Sequence, residues 1–359
     1  MHVRKPVSRR SLLAQTGAAW VGLTFTWLLE GCTQPEGKRL NFYNWDTYIG
    51  DTTLADFKKA TGVDVHMSLF ANNDELFAKL RGGNQGFDVI VPSNDFVERM
   101  AQVGMLLPLD HSKIPNFANI EPDFRDVPFD RGRRYSMPYT WLVLGIGFRK
   151  SVFPGFVPDS WKYVFDSDKY KGRIGLFSES ADTFRLVYKY LGFPMNSTDP
   201  RYLRAATDLL IRQKPNILLF HDDDGQSLLE AGDIDIVVEY NGDVAQVMME
   251  DPDLNFVVPR EGSELTSDCL CIPTGAPNPD LAHEFINFLL DAHVGAGITN
   301  TIRYPTPNMA AARLMDDAYR NNPVIFPPKA ILARCEYAHY LGDAFAHATE
   351  DAMTEVRAA

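Results

Sequence analysis

Residues 41–48 place two large aromatic side chains, Trp45 and Tyr48, around Asp46 and Thr47, where a first β-strand runs out into a loop. Aromatic faces attract alkylammonium groups by roughly 0.5 to 2 kcal/mol each, and a neighbouring carboxylate neutralises the charge. The combination is half of a cage for an organic cation. The alternative from the same residues is that Trp45 and Tyr48 are core aromatics and Asp46 a turn residue. A second polar run, His221 with Asp222, Asp223 and Asp224, has the residue types of a metal site. Consecutive residues diverge in direction, however, and a divalent ion needs several hard oxygens in defined geometry, so a solvated loop is expected and no metal. The eight histidines are scattered and none falls in a motif pairing a nucleophile with a base, so no catalytic residue is assigned. No glycine-rich phosphate loop occurs, and no cofactor is expected.

The elements that must position the cage follow from hydrophobic periodicity. Leu40 and Phe42 share one face of the strand at 40–44, Asn41 and Tyr43 the other, as in a strand packed mainly on one side. Residues 50–53 supply turn chemistry and a helix cap for 53–61, which Gly62 ends. A strand at 63–69, a helix to Arg81 capped by Asn73, and a short buried strand at 87–91 complete a βαβαβ pattern. That pattern implies a mostly parallel sheet, with ligands beyond the carboxyl ends of its strands, where residues 45–48 and 93–96 both lie. A second α/β block carries strands at 173–177 and 234–239 and helices at 183–191 and 201–213. The chain then returns through a strand at 268–273 and a helix at 281–290 capped by Asp280. Interleaved lobes joined by several crossings suit hinge closure around a ligand.

Length and charge agree with this organisation. At 359 residues, 45% hydrophobic, the chain is long enough for two lobes. Its formal charge is −12; without residues 1–31, which hold Arg4, Lys5, Arg9, Arg10 and Glu30, 31 basic and 46 acidic side chains remain, a net of −15. Such a surface argues against nucleic acid and favours a cationic or neutral ligand. Residues 1–31 read as an export signal: Arg9 and Arg10 sit in a twin-arginine-like motif ahead of an apolar run at 17–29. Residues 29–32 are similar to a lipobox, with Glu30 unusual in it, and Cys32 is the candidate for lipidation; a soluble exported protein and an uncleaved anchor are the alternatives. Residues 32–38 form a tether, and no other stretch is long enough to span a bilayer. Cys269 and Cys271, two apart on a strand, read as buried small residues, and Cys335 could pair with one of them in an oxidising compartment.

Four stretches in register resemble the spermidine/putrescine-binding proteins of bacterial ABC importers: 42–45 with Tyr48, 88–93, 287–290 and 302–308. The resemblance covers about residues 39–345. It implies an α/β, two-lobed type II periplasmic binding fold with a polyamine in the interlobe cleft, lobe 1 being 39–143 plus 268–312 and lobe 2 being 144–267 plus 313–359. Carried over by position, Trp45, Asp46, Thr47, Tyr48, Ser93, Asp95 and Phe96 fall in the cleft from the first lobe. Glu179, Asp182, Tyr240 and Asp243 fall there from the second, and Asp268 and Tyr304 from the returning chain. Thr47 stands where the family commonly has an acid, with Asp46 one position earlier; Tyr240 replaces a usual tryptophan, and Thr266 an expected aromatic. The cleft is thus expected to keep its acids and lose part of its apolar wall. Asp268, which begins a buried strand without a local turn role, is the strongest of these candidates, whereas Asp182 could instead cap the helix beside it and Asp243 serve a turn.

The resulting expectation is an extracytoplasmic, monomeric binding protein, not an enzyme, that passes putrescine or spermidine to an ABC permease in the inner membrane. Capture of another small organic cation or amino acid-derived amine, a sensing role, and an exported hydrolase using Glu179 and Asp182 remain alternatives.

Overall fold

The computed structural model describes residues 38–222 and 224–359. The export signal, Cys32 and nearly all of the tether lie outside the described residues. Two sheets organise the remainder. The first has five strands in the order β2-β1-β3-β11-β4, where β1 is Arg39–Asn44, β2 Asp64–Leu69, β3 Val89–Ile90, β4 Ser136–Pro138 and β11 Cys269–Cys271. β1 pairs in parallel with β2 and β3, as the alternating pattern requires, while β11 is antiparallel to both β3 and β4. The second sheet has seven strands: β5 (Leu142–Arg149), β6 (Ile174–Phe177), β7 (Ile217–His221), β8 (Ile236–Tyr240), β9 (Leu254–Val257), β10 (Glu264–Thr266) and β12 (Glu336–Tyr337). The fold is two-lobed, one mixed sheet to each lobe.

The strand β1 departs from its expected one-sided packing. Leu40 and Phe42 are buried on one face, and Tyr43 is equally buried on the other, stacked on Phe87 at 4.3 Å and tilted against Phe70 at 4.9 Å. Helices cover both faces of the sheet, so the period of two in β1 marks two buried faces instead of one buried and one wet. The helix Thr53–Thr61 ends as expected at Gly62, whose left-handed φ of 76° lets its N–H reach the Lys58 carbonyl. Two caps fall elsewhere. Asn72, not Asn73, caps the helix Asn73–Arg81 by accepting from the Glu75 N–H, and Asn73 faces the sheet. The helix Pro279–Leu289 begins after Asn278, and Asp280 lies in its first turn paired with Lys113 at 2.7 Å.

The chain crosses from the first sheet to the second between β4 and β5, and back between β10 and β11. The two crossings lie side by side: the Tyr139 and Thr140 N–H groups donate to the Asp268 carbonyl, and the Ser267 hydroxyl to the Thr140 carbonyl at 3.0 Å. A third segment, 304–306, joins them where the Trp141 N–H donates to the Pro305 carbonyl at 3.2 Å. The neighbouring crossings thus form one hydrogen-bonded seam between the two lobes. Cys269 and Cys271 are buried, as read from their spacing, and both are free thiols, as is Cys335. Among the described residues no helix is long and apolar enough to cross a membrane.

Phe285 anchors the returning helix on the first sheet, its ring 5.2 Å from Phe42 and 4.9 Å from Phe57, and is wholly buried. Phe285→Ala should therefore destabilise the protein by about 3–5 kcal/mol, read as a lower denaturant midpoint in equilibrium unfolding.

Candidate functional site

A cavity of about 320 Å³ opens between the two sheets. The loop after β1 forms one wall. Trp45 is tethered by its indole N–H, which donates to the Val91 carbonyl at 2.9 Å, and its ring leans on Phe70 at 4.4 Å. Asn44 is fully buried, and its amide donates to the Tyr48 carbonyl at 2.9 Å, which closes the loop on itself. Between them Asp46 and Thr47 are exposed, and Thr47 has a φ of 48°. A β-branched residue in the left-handed region is strained, and such strain persists where the surroundings over-determine the backbone.

Asp268 is the centre of the site. It stands at the seam, bridged to Ser93 at the end of β3, and is only 5% exposed. Ser93 donates its hydroxyl to one carboxylate oxygen at 2.7 Å and Tyr48 donates to the other at 2.8 Å. Each donor is itself held: Asn73 donates to the Ser93 hydroxyl and accepts the Ser93 N–H, while Thr140 bonds the Tyr48 hydroxyl. Burial pushes the Asp268 carboxyl up from 3.8 to about 6, against the lowering by the Ser93 and Tyr48 hydrogen bonds. Burial next to Asp268 likewise holds the Tyr48 phenol well above its ordinary value, so it remains a donor.

Asp243 supplies a second buried carboxylate, in the first turn of the helix Asn241–Val247 instead of a free turn, and Tyr304 donates to it at 2.5 Å. Burial raises Asp243 from 3.8 to about 7, with Asp268 adding to the rise. The Tyr304 ring packs edge-on against Tyr48 at 5.1 Å and lies directly over Gly242, where a Cβ would stand 2.4 Å from ring atoms. Only glycine permits that approach. Opposite, Tyr240 leans on Phe177 at 5.4 Å, and Glu179, just after β6, is held well above its ordinary pKa by burial and by Asp182.

Trp45, Asp46, Thr47, Tyr48, Ser93, Glu179, Tyr240, Asp243, Asp268 and Tyr304 all line this cavity. Asp95, Phe96 and Asp182 do not. Asp95 and Phe96 face a smaller neighbouring cavity, and Asp182 neither lines the main cavity nor caps its helix; it lies in the first turn of Ser180–Leu191, paired with Arg185 at 2.8 Å. The run expected to be a solvated loop is exposed at Asp222 and Asp224 but not at His221. His221 is buried at the end of β7, and Asp222 and Asp224, though exposed, line the mouth of the cavity, with Asp222 accepting from Ser178. Their position after a parallel strand was the available signal. Asn73 was read only as a cap, and nothing local in the sequence marks it as the support of Ser93. Thr266 lines the wall with a buried hydroxyl that has no protein partner. The cavity thus presents Asp46, Glu179, Asp222, Asp224, Asp243 and Asp268, and no basic side chain among the described residues. Among those residues no cluster suits a metal ion.

A model of the bacterial extracellular solute-binding protein family matches residues 52–327, and the chain belongs to that family. It is 33% identical over 304 residues to the spermidine/putrescine-binding periplasmic protein 1 of Haemophilus influenzae, covering 84% of each chain. It is 35% identical over 322 residues to the putrescine-binding periplasmic protein PotF of Escherichia coli, covering 85% of this chain and 87% of that one. The structure superposes with a TM-score of 0.85 on a putative spermidine/putrescine ABC transporter from Listeria monocytogenes, 33% identical, over 89% of this chain and 99% of the other.

The raised carboxyls set a pH dependence. Asp268 and Asp243 bind more protons folded than unfolded between about pH 4 and 7, so the stability they contribute is present below that window and lost as pH rises through about 6 and 7. Glu179 and Asp182, also raised, act in the same sense, and buried His221, lowered to about 4, opposes them. The ligand-free protein should therefore melt at a lower temperature at about pH 8 than at about pH 5.5, measured by scanning calorimetry.

Proposed function

We propose that this protein captures a polyamine, putrescine or spermidine, outside the cytoplasm and delivers it to an ABC import permease. The observation that carries the reading is the lining of the cleft: aromatic faces from both lobes and six carboxylates, three of them with raised pKa values, and no basic side chain among the described residues. Buried carboxylates that lack a cation hold their protons or repel each other; a ligand with an ammonium at each end relieves both. Trp45, Tyr48, Tyr240 and Tyr304 would flank the methylene chain, Asp268 with Asp243 would hold one ammonium, and Glu179 the other. Micromolar affinity needs about 8 kcal/mol net, within reach of a few desolvated ion pairs and cation–π contacts.

The mechanism is closure. Without ligand, acids from both lobes face one another and favour an open cleft; a dication that touches both sides removes that repulsion and stabilises the closed form in which a permease would recognise the protein. Lobe 1, residues 39–143 plus 268–312, would turn against lobe 2, residues 144–267 plus 313–359, about the seam at 139–141 and 267–268. The names of its relatives support polyamine as the ligand class, and their periplasmic location supports an extracytoplasmic one here. A lipid anchor at Cys32 and a monomeric state belong to the same proposal. Hydrolysis is the weaker reading, because Asp182, the partner it assigns to Glu179, is engaged by Arg185 and does not line the cavity.

Titration calorimetry and a thermal-shift screen of diamines, polyamines, amino acids and metal ions test the assignment. Putrescine or spermidine should raise the melting temperature, and Asp268→Asn should weaken their binding at least about tenfold, since both hydroxyl donors would then face a neutral amide. A shift produced only by another amine, or unchanged affinity in the variant, would remove the polyamine or Asp268 respectively. Polyamine affinity should also fall as pH drops from about 8 to about 5.5, because protonated Asp268 and Asp243 cannot pair with ammonium.

A further inference from the structure

The cleft does not end in solvent on its Glu179 side. Glu179 also lines a second cavity of about 70 Å³, with Asp74, Asp95, Arg99, Arg185 and Tyr340 around it. Three carboxylates converge on Arg185, Asp95 among them. Its guanidinium lies 2.8 Å from Asp182, 3.4 Å from Glu264 and 3.6 Å from Asp95, and it donates to the His339 carbonyl at 3.0 Å. Arg185, Asp182 and Glu264 are all at least nine-tenths buried. Glu264 is held well above its ordinary pKa by burial and Asp182, and shares a hydrogen bond with Asp182. Asp95 belongs to the helix Asn94–Gln102 after β3, whereas Arg185, Asp182 and Glu264 belong to elements of the second sheet's lobe, so the guanidinium also ties the two lobes.

We propose that Arg185 is a resident cation that closes the Glu179 end of the cleft and makes the protein select a linear diamine over a longer triamine. The inference rests on the polyamine reading. Asp95, Asp182 and Glu264 form an acidic nest of the kind that receives a terminal ammonium, but a covalently held guanidinium already fills it, with planar donors better matched to several carboxylates than an ammonium is. What remains for the ligand on that side is Glu179 alone, and on the other Asp268 with Asp243: two charge sites for two ammonium groups. A chain extended past Glu179 would bring a third ammonium into the small cavity, against the largely buried guanidinium groups of Arg185 and Arg99, where like charges are less screened than in water. The carboxylates of that cavity other than Glu179 offer little relief, since Asp95 is paired with Arg185, Asp74 with Arg99 at 3.5 Å, and Glu350 is more than half exposed beside His347. Asp222 and Asp224, at the mouth, are exposed, so an ammonium beside them gains little over water.

The test is calorimetric titration of the mature protein with putrescine, cadaverine and spermidine, in the wild type, R185K and R185Q/E264Q. The E264Q change keeps an amide donor toward Asp182, and folding is checked by circular dichroism melts. Wild type should bind the diamines at least about tenfold more tightly than spermidine, R185K should keep that ratio, and R185Q/E264Q should lower it at least about tenfold, chiefly by tighter spermidine binding. Spermidine bound by wild type as tightly as putrescine, or a ratio unmoved in folded R185Q/E264Q, overturns the inference and leaves the polyamine reading standing. If R185Q/E264Q does not fold, the wild-type series decides. Wild-type protein that binds none of the three amines overturns both.

Discussion

The carboxylate of Asp268, buried where two chain crossings meet, is the constraint around which the rest of the site is arranged. A carboxylate taken out of water is costly unless its oxygens are satisfied, and here one accepts from Ser93 and the other from Tyr48. Those two donors come from the ends of β3 and β1, so meeting the demand of one acid fixes the loops after both strands. Asn73 is drawn in behind Ser93 and Thr140 behind Tyr48. The Asp268 carbonyl accepts from the backbone of the other crossing, which couples the same residue to the seam between the lobes.

Electrostatics extends the arrangement across the cleft. Asp243 and Glu179, from the other lobe, face the same space, and burial raises their pKa values as it raises that of Asp268. The three acids thus share one space between the sheets, where burial favours their neutral forms. The strained backbone at Thr47 and the close contact of Tyr304 with Gly242 fix the walls of the same cavity. Arg185 meets the same electrostatic demand inside the protein, pairing with Asp95, Asp182 and Glu264.

Much of the first lobe was legible in the chain. The βαβαβ alternation, Gly62 as a helix stop, and the placement of Trp45, Tyr48 and Ser93 at carboxyl ends of strands follow from local periodicity and turn chemistry. The caps at Asn72 and Asn278 shift by one or two residues from the expected Asn73 and Asp280, because neighbouring polar residues compete for the same turn and the tertiary partner of each decides: Ser93 claims Asn73, and Lys113 claims Asp280. Tyr43 looked half-wet because alternation reports the difference between faces, not whether the second face is covered. Asp182 and Arg185 stand three apart on one helix, a spacing that signals contact, yet Asp95 and Glu264 lie far away in sequence and complete the cluster only through folding.

The sequence by itself determined the elements, the acidic balance, and which aromatic and acidic residues end a strand beside a cleft, because these depend on interactions within a few residues. Tertiary structure alone decided which acids line the main cavity. Asp268 and Asp243 are paired with hydroxyls and line it, whereas Asp95 and Asp182 are paired with a guanidinium and do not. The physical reason is that the state of a carboxylate is set by burial and by the nearest charge, and both are properties of residues brought together from distant parts of the chain.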